Sequence, residues 1–119
     1  YEIPNRDWSS DVCSSDLGKV VRPPRRADAQ SAWAQYCIRV PNREPLRERL
    51  SRQGIPTAIY YPKPLHQQPA YERFGRGPGS LPVSERICRD IMALPMHPYL
   101  DEATVERVAK AVLEGLSVS

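Results

Sequence analysis

The sequence predicts a small α/β domain: about three strands with flanking helices, in the order β-α-β-loop-α-β-α, forming a single α/β layer pair. Three observations carry this. Two short runs rich in β-formers, Trp33 to Val40 and Ile55 to Tyr61, read as strands. Apolar residues near the end of the chain recur at helical spacing, at Val105, Val108, Ala109, Val112 and Leu116. Prolines and glycines are concentrated between these runs, so the elements are separated by real breaks rather than by weak propensity.

The first segment stands apart. Tyr1 to Leu17 has no helical or strand period and no apolar face. It matches the translation of a common sequencing-library adapter, with only the index positions free, and residues 1–17 are expected to be non-native. The segment is not expected to be a secretory signal, because it lacks a basic leader and an apolar core. Residues 18–30 read as an extended linker around Arg22-Pro23-Pro24-Arg25-Arg26. Residues 31–119 then form the domain. The adapter junction sets the start at Gly18, so the domain is expected to be the C-terminal piece of something larger.

Within the domain, Trp33 to Val40 is the first strand. Asn42 is placed to cap a helix whose first turn accepts Pro45 and whose inner face carries Leu46 and Leu50. Gly54 is a natural residue for the left-handed turn that ends it. Ile55 to Tyr61 is the second strand, with Tyr60 and Tyr61 expected on opposite faces, one toward the core. Pro62 to Ser80 is a long connection with a helical turn around Ala70 to Phe74. Such length in a compact domain points to function or disorder. Pro82 opens the next helix, with Val83, Ile87 and Ile91 inward. Ala93 to Met96 is the third strand, ended by Pro95 and Pro98, and Asp101 caps the last helix.

Composition narrows the chemistry. The whole chain has a net charge of +3. The adapter-like segment holds Arg6 against Glu2, Asp7, Asp11 and Asp16, so the remainder is more basic still. Yet the basic cluster in the linker has no interleaved aromatics, which argues against nucleic acid. Cys37 and Cys88 lack metal-site spacing and read as buried thiols. No run reaches the roughly 20 apolar residues of a membrane span, and the cytoplasm is the expected location. The chain has two histidines, His66 and His97, each after a proline-rich turn and both expected near one sheet edge. Two histidines alone make a poor metal site, and no triad, phosphate loop or carboxylate pair of recognisable spacing is present. The informative stretch is Tyr60-Tyr61-Pro62-Lys63-Pro64-Leu65-His66. Its prolines fix φ and remove donors, so it cannot pair as a central strand and can hold polar side chains in fixed directions. The candidate ligand-binding residues are Tyr60, Tyr61, Lys63 and His66, half of a site.

Four stretches occur in order: Ser31-Ala32-Trp33-Ala34-Gln35-Tyr36; Gly54-Ile55-Pro56-Thr57 through Pro69-Ala70-Tyr71; Pro82-Val83-Ser84-Glu85-Arg86; and Leu94-Pro95-Met96-His97-Pro98-Tyr99-Leu100. Together they resemble the C-terminal domain of the DegT/DnrJ/EryC1/StrS family of sugar aminotransferases, nearest to the branch that aminates UDP-linked 3-keto-N-acetylhexosaminuronic acids. The resemblance covers about Gln30 to Leu116. It implies the small C-terminal domain of a homodimeric fold-type I enzyme that uses pyridoxal 5'-phosphate, with glutamate as amine donor and a nucleotide-linked keto-sugar as acceptor, in bacterial polysaccharide or amino-sugar biosynthesis. The family's Schiff-base lysine lies in the large N-terminal domain. Lys19, Lys63 and Lys110 lack that lysine's context, so the cofactor is expected on the missing domain and this chain alone is expected to be inactive. The resemblance places Tyr60, Tyr61, Lys63 and His66 on the sugar-nucleotide side; many relatives carry histidine where this chain has Tyr60. Two other readings stand beside it: a free-standing small-molecule-binding or regulatory α/β module, and a basic nucleic-acid-binding domain.

Overall fold

The computed structural model describes residues 20, 27–30 and 32–117. The adapter-like segment and most of the linker therefore lie outside the described residues. In chain order the elements are β1 (Tyr36–Arg39), α1 (Arg43–Arg52), α2 (Pro82–Asp90), β2 (Ile91–Leu94) and α3 (Glu102–Ser117), with short 3₁₀ turns at Leu65–Gln67 and Glu72–Phe74. The result is a small α/β unit with a two-stranded sheet and three helices among the described residues.

β1 and β2 pair antiparallel, with Tyr36 opposite Leu94, Cys37 opposite Ala93, Ile38 opposite Met92 and Arg39 opposite Ile91. Tyr36, Ile38, Met92 and Leu94 are buried, so the register places two apolar cross-strand pairs on the face that packs inward. Trp33 meets Tyr36 edge to face, with ring centroids 5.2 Å apart. The core is completed by Leu46 and Leu50 of α1 and by Val105, Val108, Ala109, Val112 and Leu116 of α3, the stripe read from the sequence. Gly115 lets the two helices approach, since a Cβ there would run into Leu46. Asp101 does cap α3: its Oδ1 accepts the Thr104 amide at 2.8 Å.

The expected second strand is the main correction. Ile55 to Tyr61 forms one isolated antiparallel bridge, between Ala58 and Ala93, and no ladder. Both backbone bonds of that bridge are made, at 3.1 and 2.8 Å. Pro56 on one side and Pro62 on the other have no N–H to extend it. Tyr60 and Tyr61 were expected on opposite faces, but both are exposed. A chain that leaves the ladder after one bridge no longer alternates against a core.

Smaller corrections have local causes. Asn42 does not cap α1 with its side chain; it takes the left-handed conformation, φ 53°, which asparagine tolerates better than most residues. Gly54, φ 70°, behaves as read: its N–H donates to Ser51 and that of Ile55 to Leu50, closing a Schellman turn. β2 spans Ile91–Leu94 rather than Ala93–Met96, because it starts where α2 ends and pairs back to β1. Ile91 is thus a strand residue. Val83 is exposed, and the inward positions of α2 are Cys88 and, partly, Ile87. Of the two thiols, Cys88 is buried and Cys37 half-buried; both are free, and burial pushes the Cys37 thiol up from its ordinary pKa. No helix among the described residues is long and apolar enough to cross a membrane.

One charged side chain is built into this frame. Arg43, 8% exposed, donates through Nη1 to the carbonyls of Cys88 and Ile91, each at 2.6 Å. Those oxygens lie at the α2–β2 junction, where helix-end carbonyls lack intrahelical partners. Arg43 thereby ties the start of α1 to the point where α2 becomes β2. Replacing it by methionine keeps most of the packing and removes the donor. Arg43→Met should cost about 1–3 kcal/mol, the range for charged hydrogen bonds and stranded buried acceptors, read from urea unfolding midpoints. An unchanged midpoint would show that the two carbonyls find other donors at no cost.

Candidate functional site

The connection Pro62 to Ser80 is ordered by its own backbone. Pro64 is buried and extended, and its carbonyl accepts the Gln67 amide at 3.0 Å, opening the first 3₁₀ turn. The Gln68 carbonyl accepts the amides of Tyr71 and Glu72, each at 2.9 Å, which leads into the second turn. Gly77 and Gly79 take φ values of 78° and 87°, a region open to glycine at little cost. Ser80 closes that bend with its hydroxyl on the Gly77 carbonyl, 2.7 Å.

The four expected site residues are treated differently by the fold. Tyr60 is 54% and Tyr61 68% exposed, and Lys63 is also exposed. These three line the outer side of the chain as it leaves the Ala58 bridge. His66 turns inward, its side chain only 10% exposed, and its Nε2 lies 3.0 Å from Glu85 Oε1. Gly75 packs directly on it: a Cβ there would stand 2.8 Å from the His66 carbonyl oxygen. His97 has a different partner, its Nδ1 accepting the Tyr99 amide at 3.2 Å. No cluster of three or more metal-ligating side chains forms among the described residues.

Glu85 is the residue that sequence reasoning missed. One carboxylate, 12% exposed, gathers four contacts: His66 Nε2, the Gly79 amide at 2.8 and 3.0 Å on its two oxygens, and the Leu81 amide at 3.3 Å. A signal for part of this was present. A glutamate in the first turn after Pro82 can reach back to a free amide at the helix start, as in a capping box. The link to His66, nineteen positions away, has no such local signal. The hydrogen bond with His66 is the main cause that holds the Glu85 carboxyl below its ordinary pKa; partial burial opposes it, and the Gly79 and Leu81 amides add to it.

Other exposed apolar side chains in this region are Leu65, Tyr71 and Phe74, with the Arg73 guanidinium 4.6 Å over the Phe74 ring. A separate open groove of about 480 Å³ lies along α1, lined by Glu44, Arg47, Glu48 and Arg52 among others. Its charges pair with one another, Arg47 with Glu44 at 2.6 Å and Arg52 with Glu48 at 3.4 Å, and none of the expected site residues lines it. Of the lysines, Lys63 is exposed on the connection and Lys110 faces outward on α3, 3.9 Å from Glu114. Neither position fits a lysine that holds a cofactor as a Schiff base, which needs a phosphate cradle and an acidic partner around it.

Comparison with known proteins agrees with the resemblance in the sequence. Residues 14–113 match the profile of the DegT/DnrJ/EryC1/StrS aminotransferase family. The UDP-2-acetamido-2-deoxy-3-oxo-D-glucuronate aminotransferase of Pseudomonas aeruginosa is 42% identical over 82 residues, 69% of this chain and 22% of that protein. The erythromycin biosynthesis sensory transduction protein EryC1 of Saccharopolyspora erythraea is 34% identical over 100 residues, 84% of this chain and 27% of that protein. Among solved structures, a DegT DnrJ EryC1 StrS aminotransferase from Brucella abortus superposes with a TM-score of 0.79 at 40% identity, over 92% of this chain and 28% of that one. S. venezuelae DesV, solved with a ketimine intermediate, gives 0.82 at 33% identity, over 90% and 28%. The chain thus spans about a quarter of the length of the proteins it matches. It belongs to the DegT/DnrJ/EryC1/StrS aminotransferase family.

The Glu85 contacts carry a pH dependence. Because its carboxyl is lowered in the folded chain, the stability it adds is complete above the unfolded glutamate value of about 4.3 and is lost as pH falls through the lowered folded value. Unfolding midpoints of wild type and Glu85→Gln should therefore differ near neutrality and converge toward low pH. A gap that stays constant down the acid range would mean that the charge on Glu85 contributes nothing.

Proposed function

We propose that this chain is the small C-terminal domain of a fold-type I, pyridoxal phosphate-dependent enzyme that moves an amino group from glutamate to a nucleotide-linked keto-sugar. Family membership supports the reaction class, and the 42% identity to a UDP-3-oxo-glucuronate aminotransferase favours a UDP-linked 3-keto-sugar as acceptor. Pyridoxal phosphate supplies the electron sink for such chemistry. We assign its lysine and phosphate cradle to a large domain corresponding to the other three quarters of the relatives' length. We place the enzyme in the cytoplasm as a homodimer, and read this chain by itself as inactive.

The observation that carries the site reading is the exposed Tyr60-Tyr61 corner, held by the Ala58–Ala93 bridge on one side and by the proline connection on the other. Exposed tyrosines on a fixed backbone offer a flat apolar face and a hydroxyl together, which suits a sugar or a base. Lys63 adds a cation that matches the diphosphate of a nucleotide sugar. His66, nearly buried on the same connection, has Nε2 engaged by Glu85, which leaves Nδ1 as the nitrogen to meet a ligand. The role of these four residues is to bind and orient the acceptor. The reacting carbon is served by groups on the large domain.

The test uses the whole enzyme and follows its two half-reactions separately by pre-steady-state absorbance. His66→Ala and Tyr61→Phe should weaken keto-sugar use roughly ten- to a hundredfold, the size of one or two lost hydrogen bonds in a site shielded from water. The glutamate half-reaction should change little. If both halves slow equally, or only the glutamate half slows, this connection does not serve the sugar side.

A further inference from the structure

We infer that Glu85 is a positioning residue for the sugar-side loop: it fixes His66 as the Nε2–H tautomer and, with the same carboxylate, locks the glycine bend beside it. The inference rests on the sugar-side reading of this connection for its functional meaning. The geometry that carries it is independent of any ligand.

The chemistry follows from what each group can offer. An ionised carboxylate is an acceptor only. Its other contacts are backbone amides of Gly79 and Leu81, both donors. The His66 Nε2 that lies 3.0 Å from Glu85 Oε1 must therefore carry the proton. In a neutral imidazole the second nitrogen is then an acceptor. In its neutral form His66 thus presents an acceptor, Nδ1, to whatever occupies the site, suited to a sugar hydroxyl or an amide N–H rather than to a carbonyl or phosphate oxygen. Gly75 lies against the His66 backbone, where a side chain would meet the His66 carbonyl oxygen and Cβ, and the ring is held by its Nε2 contact with Glu85. The carboxylate comes from the first turn of α2, whose far end Arg43 ties to α1, so the loop is referenced to the helical frame as well as to its own residues.

This assigns two kinds of effect to one side chain. Removing Glu85 takes away the acceptor that selects the tautomer, and it also frees the Gly79 and Leu81 amides. The connection should then open. Arg73 and Arg76, both exposed, should become faster sites for trypsin.

The experiment is proton and nitrogen NMR of the ¹⁵N-labelled chain, with no ligand added. A ring N–H held by a carboxylate exchanges slowly enough with water to be seen, and a free one does not. Wild type should show a His66 ring proton bonded to Nε2, with the His97→Gln variant making the assignment. That signal should vanish in Glu85→Ala, remain in a Glu72→Gln control, and weaken in Glu85→Gln together with faster exchange of the Gly79 amide. Trypsin should cut Glu85→Ala faster after Arg73 and Arg76. A His66 proton on Nδ1, no protected ring proton in wild type, or a signal untouched in both Glu85 variants would overturn the inference. Should Glu85→Ala fail to fold, the wild-type spectrum and Glu85→Gln still decide. The half-reaction kinetics fail if the sugar-side reading is wrong; this ring proton does not depend on them, so the two failures are separable.

Discussion

Ala93 has a neighbour on both sides, Cys37 as its register partner in β1 and Ala58 as its hydrogen-bonded partner, and that double pairing sets where everything near the candidate site can be. On one side it stands opposite Cys37 in β1; on the other it exchanges both backbone hydrogen bonds with Ala58. The first contact belongs to a ladder whose register is fixed by the buried pairs Tyr36–Leu94 and Ile38–Met92. The second is a single bridge with prolines at 56 and 62 around it. The chain is therefore held firmly at one residue and released within a few positions. Tyr60 and Tyr61 fall at the release point. They are exposed because the ladder stops there, and they are placed because it reached that far.

Two ionic side chains extend this frame by bonding to backbone rather than to each other. Arg43 fills the carbonyls at the α2–β2 junction, and Glu85 fills the amides and the imidazole at the α2 start. The nine-residue helix between them thus has its C-terminal carbonyls tied to α1 and its N-terminal turn tied to the 62–81 connection. The exposed pairs on α1, such as Arg52 with Glu48, do far less, because solvent screens them and long side chains must be ordered to make them. A long proline- and glycine-rich connection becomes a defined surface through its own backbone turns and through one partly buried carboxylate that holds His66 and Gly79 together.

What could be read from the sequence was local. The Gly54 turn, the Asp101 cap and the α3 stripe each depend on residues within a turn or two of one another, and the structure has them as read. Ile55–Tyr61 has the β-propensity of a strand but makes one bridge, because propensity describes a fitting surface and not a partner; Pro56 and Pro62 outweigh Ile55, Ile59 and the tyrosines. β2 begins two residues before the run that local pattern suggests, because its start is set by pairing with β1, a contact more than fifty residues away. Tyr60, Tyr61 and Lys63 are neighbours in the chain and exposed together, so their grouping needs no tertiary contact to be read. The partner of His66 was not, since nothing local connects positions 66 and 85. Family membership needed only the ordered motifs, which survive these errors in element boundaries.

The position of the tyrosine corner depends on the Ala58–Ala93 bridge, which native-state amide hydrogen exchange reads directly. The amides of Ala58 and Ala93 should be protected to a similar degree, close to that of the β1–β2 ladder and well above Gly77 in the open bend. An Ala58 amide that exchanges as fast as Gly77 while Ile38 and Met92 stay protected would contradict it, leaving the tyrosine corner with no fixed position on the sheet.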